Sequence, residues 1–180
     1  MHRLKALDLE DVGDGVKEVF RDLEEELGMV PNVFRTMAHS PVVLRAYVNF
    51  LDSLQQGVLS ERLRERIALA VSQVNDCPYS LAEHCATALA AGLSKEEISD
   101  SRKAVSPDRR VEAALSFARK VARGLQSVDG EGVSTLKRVG FSDEEIAEII
   151  ASIVLTIFKN YFNKLAGTCL DYPKAKNIEA

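Results

Sequence analysis

Four side chains that can take part in nucleophilic and proton-transfer chemistry lie close together in the sequence. Cys77, Ser80 and His84 follow one another at spacings of three and four residues, and Glu65 precedes Cys77 by 12 residues. Residues at such spacings share one face of a helix. A thiol supplies a nucleophile, an imidazole accepts or donates a proton, and a carboxylate orients the imidazole. The pattern therefore predicts a thiol site served by an acid–base pair.

The neighbours of Cys77 predict its position on the helix. Proline is favoured in the first turn of a helix, so a helix is expected to begin near Pro78 with Cys77 at its amino end. Unpaired backbone N–H groups and the helix dipole favour negative charge there, and we expect them to stabilise the Cys77 thiolate. Tyr79 is a candidate for the wall of a substrate pocket, or alternatively for core packing.

Each of these residues also has a structural interpretation. A small buried cysteine packs as an apolar side chain more often than it reacts, and an isolated histidine is commonly structural. Cys77, His84 and Glu65 are also possible metal ligands, but Ser80 is a poor one and no further ligand follows His84 at helical spacing. We therefore predict no metal site. Without a glycine-rich phosphate loop, no nucleotide cofactor is implied either.

The elements that position these side chains are predicted to be helices, which makes the chain all-α. Apolar residues recur at spacings of three and four, and strand signals are nearly absent. Serine and proline begin several segments and glycine ends others, as at helix termini. The segment 130–140 gives a weaker signal. Helices are predicted over residues 15–27, 32–39, 41–56, 61–75, 78–91, 107–124 and 143–165, with a short one after Ser94.

One internal similarity is visible in the chain. Residues 91–98 (Ala-Gly-Leu-Ser-Lys-Glu-Glu-Ile) match residues 139–146 (Val-Gly-Phe-Ser-Asp-Glu-Glu-Ile) at an offset of 48 residues. Each copy ends one helix at glycine and begins the next with a serine–glutamate capping box. The match indicates either a duplicated helical hairpin or two independent uses of the same residue types to end one helix and begin the next. The chain has 180 residues and no linker, so we expect one domain over residues 1–180.

Composition and charge restrict the class of protein. The chain is 46% apolar and 28% charged with a net charge of −4, which is typical of globular proteins and argues against nucleic-acid binding. The N-terminus has no apolar run of signal-peptide length, and the most apolar stretch, residues 146–158, is too short to span a membrane, so we expect a cytoplasmic location and no membrane partner. The three cysteines, Cys77, Cys85 and Cys169, are then expected to be reduced.

The motifs together resemble those of a known family. Glu65, Cys77, Ser80 and His84 have the spacing found in the alkylhydroperoxidase D and carboxymuconolactone decarboxylase superfamily. Flanking segments over residues 20–170 are similar to its peroxidase-related branch. These segments are 27–34 (Leu-Gly-Met-Val-Pro-Asn-Val-Phe), 40–41 (Ser-Pro), 64–69 (Arg-Glu-Arg-Ile-Ala-Leu), 75–79 (Asn-Asp-Cys-Pro-Tyr), 91–93 (Ala-Gly-Leu) and 160–163 (Asn-Tyr-Phe-Asn). The resemblance implies an orthogonal helical bundle that forms a homo-oligomer, usually a trimer or hexamer.

The resemblance also implies a role for each site residue. Cys77 matches the resolving cysteine of the family's Cys-x-x-Cys motif, and Glu65 and His84 match its proton-relay acid and histidine. Ser80 stands where the family has the second cysteine, which attacks the peroxide. A serine hydroxyl forms neither a sulfenic acid nor a disulfide, so the usual two-thiol cycle cannot run through Cys77 and Ser80.

Four interpretations of Ser80 are open. In the first, Cys77 acts alone and a thiol from another molecule resolves its oxidised form. In the second, Ser80 is an introduced residue that blocks the disulfide. In the third, Cys85 replaces the missing thiol, although eight helical residues place it about 12 Å from Cys77, beyond the roughly 7 Å that a disulfide tolerates. In the fourth, the redox site has decayed.

The function predicted first is that of an alkylhydroperoxidase-like thiol oxidoreductase with Cys77 as its redox thiol. Its partners would be an organic hydroperoxide as substrate and a thiol as reductant, without a cofactor. The alternative is an acid–base enzyme of the carboxymuconolactone decarboxylase type, in which Glu65 and His84 transfer protons without redox cycling at Cys77. A third interpretation is a redox-inactive helical oligomer.

Overall fold

Every regular element in the described part of the chain is helical. A computed structural model describes residues 3–124 and 130–178. A 3₁₀ turn (Leu9–Asp11) precedes nine α-helices within these ranges. The helices are α1 (Asp14–Leu27), α2 (Asn32–Met37), α3 (Pro41–Gln55), α4 (Glu61–Val74), α5 (Pro78–Ala90), α6 (Lys95–Lys103), α7 (Arg109–Arg123), α8 (Gly130–Arg138) and α9 (Asp143–Ala166). The predicted all-α class is confirmed.

Helix boundaries follow the local sequence chemistry. The side chains of Ser60, Ser94 and Ser142 accept hydrogen bonds from backbone N–H groups in the first turns of α4, α6 and α9. These N–H groups have no acceptor within the helix, and the serine side chain provides one. Pro41 and Pro78 occupy the first turns of α3 and α5, where their missing N–H groups cost nothing. Local sequence therefore accounts for the starts of these helices.

The matching segments 91–98 and 139–146 adopt the same local structure. Both turn through a glycine in the left-handed region, with φ of 82° at Gly92 and 90° at Gly140, and both then form a capping box. The helices repeat as well, since α7 begins 48 residues after α4, and α9 begins 48 residues after α6. The final glutamate of each capping box pairs with an arginine at the same offset, Arg62 with Glu97 and Arg110 with Glu145. The geometry favours a duplicated unit, α4–α6 and α7–α9.

Helix α8 shows where tertiary packing decides the structure. Its sequence includes Gly130 and Gly132, and glycine is a poor helix former, which explains the weak signal over 130–140. In the structure α8 packs against α7 and α9, and Leu136 is completely buried in the main apolar cluster. Burial of this face therefore supplies stability that the local sequence does not.

Helix α4 lies at the centre of the fold and positions the site. It packs against α5, α6, α7 and α9, and its side chains from Ile67 to Val71 are almost fully buried. The long helix α9 in turn packs against α3, α4, α5, α7 and α8. Helices α4, α5 and α9 are therefore in mutual contact, and side chains from all three can meet in one place.

The outer face of α9 leaves apolar side chains uncovered. Val154 and Phe158 are half exposed, and they border an apolar groove of about 290 Å³ between α9 and α3, with Phe50 on its other side. Over the ranges that the structure describes, no helix has both the length and the apolar character needed to cross a membrane.

The contribution of α9 to stability can be measured with two matched substitutions. Ile153 is fully buried and packs in the main apolar cluster, whereas Ile150 on the same helix is 41% exposed. We expect Ile153→Ala to lower the free energy of unfolding by about 2–5 kcal/mol because it leaves a cavity. Ile150→Ala should change it by no more than about 0.5 kcal/mol. Denaturant unfolding of both variants at equal protein concentration tests this, and equal losses would contradict the placement of α9.

Candidate active site

A tight turn between α4 and α5 brings the four predicted residues together. Glu65 lies on α4, Cys77 occupies the N-cap of α5, and Ser80 and His84 lie on α5. Asp76 in the turn has φ of 45°, a left-handed conformation that aspartate tolerates better than most residues. The backbone N–H of Cys77 then donates to the carbonyl of Ser72. Helix α5 therefore folds back along α4, with Cys77 at its amino end.

Cys77 and Ser80 form a buried pair. Both side chains are completely inaccessible, and the Cys77 thiol donates to Ser80 Oγ at 3.4 Å. Cys77 packs in an apolar cluster with Phe34, Tyr47 and Leu155. The thiol makes no capping hydrogen bond to the backbone. If Cys77 loses its proton, the Ser80 hydroxyl is placed to donate to the thiolate instead.

Cys85 lies in different surroundings from Cys77. Its side chain packs against a separate cluster that contains Leu69 and Leu93. Burial raises the pKa of the Cys85 thiol, which makes it a weaker nucleophile at neutral pH. The geometry therefore gives no support to the interpretation in which Cys85 takes over from the missing second thiol.

Glu65 and His84 form a second pair, which joins α4 to α5. Glu65 Oε2 lies 3.0 Å from His84 Nδ1, and the Thr87 hydroxyl donates to the same oxygen at 2.5 Å. Burial by itself would raise the pKa of Glu65, but His84 and the hydrogen bonds from His84 and Thr87 outweigh burial and lower the pKa below its ordinary value. Glu65 is therefore a carboxylate at neutral pH and orients the imidazole.

A residue that the sequence reasoning missed completes this pair. Lys159 of α9 is 5% exposed, and its Nζ lies 2.9 Å from His84 Nε2 and 2.8 Å from Glu83 Oε2. Burial by itself would lower the pKa of Lys159, but the carboxylates of Glu83 and Glu65 outweigh burial and raise it. Lys159 is therefore an ammonium group, which can only donate to Nε2. His84 must then carry its proton on Nδ1 and donate to Glu65.

The position of Lys159 in the sequence held a signal that could have identified it. Lys159 follows the apolar run of α9 and lies three residues after Thr156 and seven after Ser152, on the buried face of the helix. A lysine on that face needs a buried carboxylate partner. The partner, Glu83, is 76 residues away in the chain, and only the packing of α9 on α5 reveals it.

The Glu65–His84 pair borders a cavity that we call the relay cavity. Its volume is about 350 Å³ and it lies between α3, α4, α5 and α9. The Ser152 hydroxyl in its wall is buried and has no hydrogen-bond partner. Among the described residues, neither Cys77 nor Ser80 is part of this wall, and no hydrogen bond joins either of them to His84. The wall includes Leu51, Leu54, Glu65, His84, Ser152 and Leu155.

Tyr79 lies outside the relay cavity. It is 3% exposed, and its hydroxyl donates to Asp171 Oδ2 at 2.5 Å and accepts from the backbone N–H of Val33 at 3.2 Å. Burial raises the pKa of the Tyr79 hydroxyl, so it stays protonated and keeps this donor role. Tyr79 thereby ties the chain after α9 to α5. It borders a second cavity together with Cys77.

A metal centre finds no support in the side-chain arrangement. Within residues 3–124 and 130–178, no group of three or more His, Cys, Asp or Glu side chains is placed to hold an ion. Cys77 and Glu65, two of the three possible ligands considered above, belong to separate hydrogen-bonded groups. The described side chains instead form a buried thiol–hydroxyl pair, and a carboxylate–imidazole–ammonium network at the relay cavity.

Known proteins resemble this chain in sequence and structure. Residues 41–124, which include all four predicted site residues, match the carboxymuconolactone decarboxylase family. An uncharacterized peroxidase-related protein from Ralstonia eutropha JMP134, an alkylhydroperoxidase AhpD core, is 27% identical with a TM-score of 0.84 over 94% of this chain and 92% of that one. A peroxidase-related protein from Silicibacter sp. TM1040 is 27% identical with a TM-score of 0.81 over 92% and 91%. The predicted fold type is confirmed.

A shorter likeness is to uncharacterized protein 4 in the cox locus of Paracoccus denitrificans. It is 32% identical over 74 residues, which is 41% of this chain. The match covers 66% of that protein, slightly less than two thirds.

The charge on Glu65 makes stability depend on pH. Because its folded pKa is lowered, the carboxylate stabilises the fold above its unfolded pKa of about 4.3, and this contribution is lost as pH falls through the folded pKa. We expect Glu65→Gln to reduce the loss of stability on acidification below about pH 4.3. Unfolding free energies measured from pH 3 to 7 test this. Glu96→Gln, the same change at an exposed site on α6, is the control, and parallel curves for both variants would contradict the pairing.

Proposed function

We propose that this chain, which belongs to the carboxymuconolactone decarboxylase superfamily and has the alkylhydroperoxidase D-like fold, is a thiol oxidoreductase that reduces small organic hydroperoxides. The observation that carries the proposal is the position of the Cys77 thiol, at the amino end of α5 and 3.4 Å from Ser80 Oγ. The helix amino end favours a thiolate, and Ser80 can donate a hydrogen bond to it. In this proposal Ser80 stabilises the Cys77 thiolate by a hydrogen bond, and Cys77 is the redox thiol of the site.

The reaction needs one thiolate and one proton donor. The Cys77 thiolate attacks the terminal oxygen of the hydroperoxide, the O–O bond breaks, and Cys77 becomes a sulfenic acid while the alkoxide takes a proton and leaves as the alcohol. The His84–Lys159 pair shares a proton, and the carboxylates of Glu65 and Glu83 contact this pair and balance its positive charge. The pair can supply the proton through the relay cavity. Because Ser80 cannot form a disulfide, a thiol from another molecule must reduce the sulfenic acid.

The relay cavity has apolar side chains in its wall beside polar and charged ones, which include Glu61 and Arg64, so it suits a small substrate that has both apolar and polar parts. Leu51, Leu54 and Leu155 contribute apolar wall, while the unpartnered Ser152 hydroxyl is free to hydrogen-bond a substrate. Leu155 also belongs to the apolar cluster that contains Cys77. Leu51 and Leu54 pack against the same cluster, so displacement of these apolar side chains would let a peroxide in the relay cavity reach the buried thiol.

The role of Cys77 can be tested by mass spectrometry after treatment with cumene hydroperoxide. We expect Cys77 to gain one oxygen, about 16 Da, or to form a mixed disulfide when a thiol is present. Cys77→Ala should abolish peroxide consumption, whereas Cys169→Ala, at an exposed cysteine, should not. An unmodified Cys77 in protein whose Cys169 is oxidised would rule out the proposed thiol chemistry.

A second candidate function is acid–base catalysis without redox change. The observation that favours it is that Glu65 and His84 border the relay cavity, whereas Cys77 is sealed from it by apolar side chains. An enolisable lactone or keto acid would then take the place of Lys159 at His84 Nε2 and exchange a proton there, and Glu65 would hold the imidazole in position.

Two variants separate the candidate functions. If the protein is an acid–base enzyme, Cys77→Ala should retain turnover of such a substrate, while Glu65→Gln should lower it by about 10²-fold or more. If it is a peroxidase, Cys77→Ala removes activity completely. Loss of both activities in Cys77→Ala protein of unchanged stability would exclude the acid–base function.

The predicted trimer or hexamer and the predicted cytoplasmic location both stay predictions. The apolar groove between α3 and α9, bordered by Phe50, Val154 and Phe158, is a surface that self-association would bury.

A further inference from the structure

A second cavity lies on another side of Cys77, and we call it the distal cavity. Its volume is about 390 Å³, and it is an open cavity bordered by Arg3, the start of α5, the end of α9 and the chain that follows α9. This volume is within the range of cavities that bind small molecules. Its wall includes Arg3, Cys77, Tyr79, Asn163, Lys164 and Thr168.

Polar groups in this wall have no partner in the protein. Asn163 is 3% exposed, and both its amide nitrogen and its amide oxygen lack a hydrogen bond, as does the buried hydroxyl of Thr168. Buried polar groups are nearly always paired, because an unpaired one costs about 1–3 kcal/mol. An amide with both a donor and an acceptor free is therefore expected to bind a ligand that offers both.

The charge of the distal cavity is positive. Arg3 and Lys164 belong to its wall, and no carboxylate among the described residues does. Lys164 is 4.0 Å from Asp76, which is largely exposed, and Arg3 donates to the last carbonyls of α9. Asp171, in the chain after α9, is engaged by the Tyr79 hydroxyl and the backbone N–H of Asn32. The cavity can therefore accept a carboxylate close to the two cationic side chains.

We infer that the distal cavity binds the reductant of Cys77, a small thiol that carries a carboxylate and an amide. The inference rests on the proposed function, since a thiol from outside the chain must replace the one that Ser80 lacks. The carboxylate meets Lys164 and Arg3, the amide meets Asn163, and the thiol lies at the Cys77 end of the cavity, where the buried sulfur must become accessible before it reacts. Peroxide from the relay cavity and reductant from the distal cavity then approach Cys77 from different sides.

The reduction balances with two molecules of this thiol. The first attacks the sulfur of the Cys77 sulfenic acid, forms a mixed disulfide with Cys77 and releases water. The second attacks the sulfur that came from the first, so that a disulfide of the two small thiols leaves and the Cys77 thiolate is restored. The hydroperoxide is the oxidant and the small thiol is the reductant, so no other co-reactant is needed.

Binding can be measured without any redox reaction by using S-methylglutathione, which has the carboxylates and amides but no free thiol. We expect saturable binding to the wild-type protein in calorimetry or NMR titration, and an affinity lower by about 10-fold or more in Asn163→Leu. Because the Asn163 side chain has no partner in the protein, this substitution breaks no protein hydrogen bond and should leave the fold intact. No saturable binding, or equal affinity in Asn163→Leu, would overturn the inference.

A second experiment tests whether the positive charge of Lys164 favours a reductant that carries a carboxylate. After oxidation of Cys77 with one equivalent of cumene hydroperoxide, its reduction by glutathione should be faster than by neutral 2-mercaptoethanol. Lys164→Glu should slow the reaction with glutathione by about 10-fold and leave that with 2-mercaptoethanol unchanged. Lys137→Glu, an equal charge change on α8, is the control.

The two experiments separate the two proposals. If no sulfenic acid forms but S-methylglutathione binds at Asn163, the peroxidase proposal fails and the cavity assignment stands. If the sulfenic acid forms but both thiols reduce it at rates that neither Lys164→Glu nor Asn163→Leu changes, the distal cavity is not the binding site of the reductant. The peroxidase proposal then still stands.

Discussion

The ammonium group of Lys159 is buried where three helices meet, and its pairing holds the site in one arrangement. A charge removed from water is tolerated only when it is paired and hydrogen-bonded. Lys159 on α9 meets this requirement through Glu83 and His84 of α5, and His84 is held in turn by Glu65 of α4. Displacement of any one of these helices would leave a buried charge unpaired, so the network couples their relative positions.

The same network decides the state of the imidazole. Since Lys159 donates to Nε2, His84 has its proton on Nδ1 and presents no free lone pair to Cys77. The Cys77 thiol instead lies at the amino end of α5 and donates to the Ser80 hydroxyl. The carboxylate–imidazole–ammonium network and the thiol–hydroxyl pair are therefore two separate groups of residues, and the apolar side chains of Leu51, Leu54 and Leu155 contribute to the surroundings of both.

The repeated unit explains how the fold provides these groups. Helices α4–α6 recur as α7–α9, but the four residues of the candidate site all lie in the first copy or at its turn. The second copy differs mainly in its last helix, which has 24 residues in α9 against nine in α6. The additional turns of α9 carry Lys159 and Asn163, which reach the proton network and the distal cavity respectively. One copy thus holds the four residues of the candidate site, and the extension of the other completes their surroundings.

The sequence by itself determined what depends on short separations along the chain. Helical periodicity, serine caps and glycine stops predicted nearly every helix, because these signals act within a few residues. The spacing of Glu65, Cys77, Ser80 and His84, with the family resemblance, indicated the site and the missing second thiol. Only the tertiary structure decided that Lys159 engages His84, that Cys77 is sealed from the relay cavity, and that Asn163 borders a second one. The physical reason is that burial and cavity shape depend on how side chains from distant helices pack, and a buried charge finds its partner across that packing, 75 residues away for Lys159 and His84.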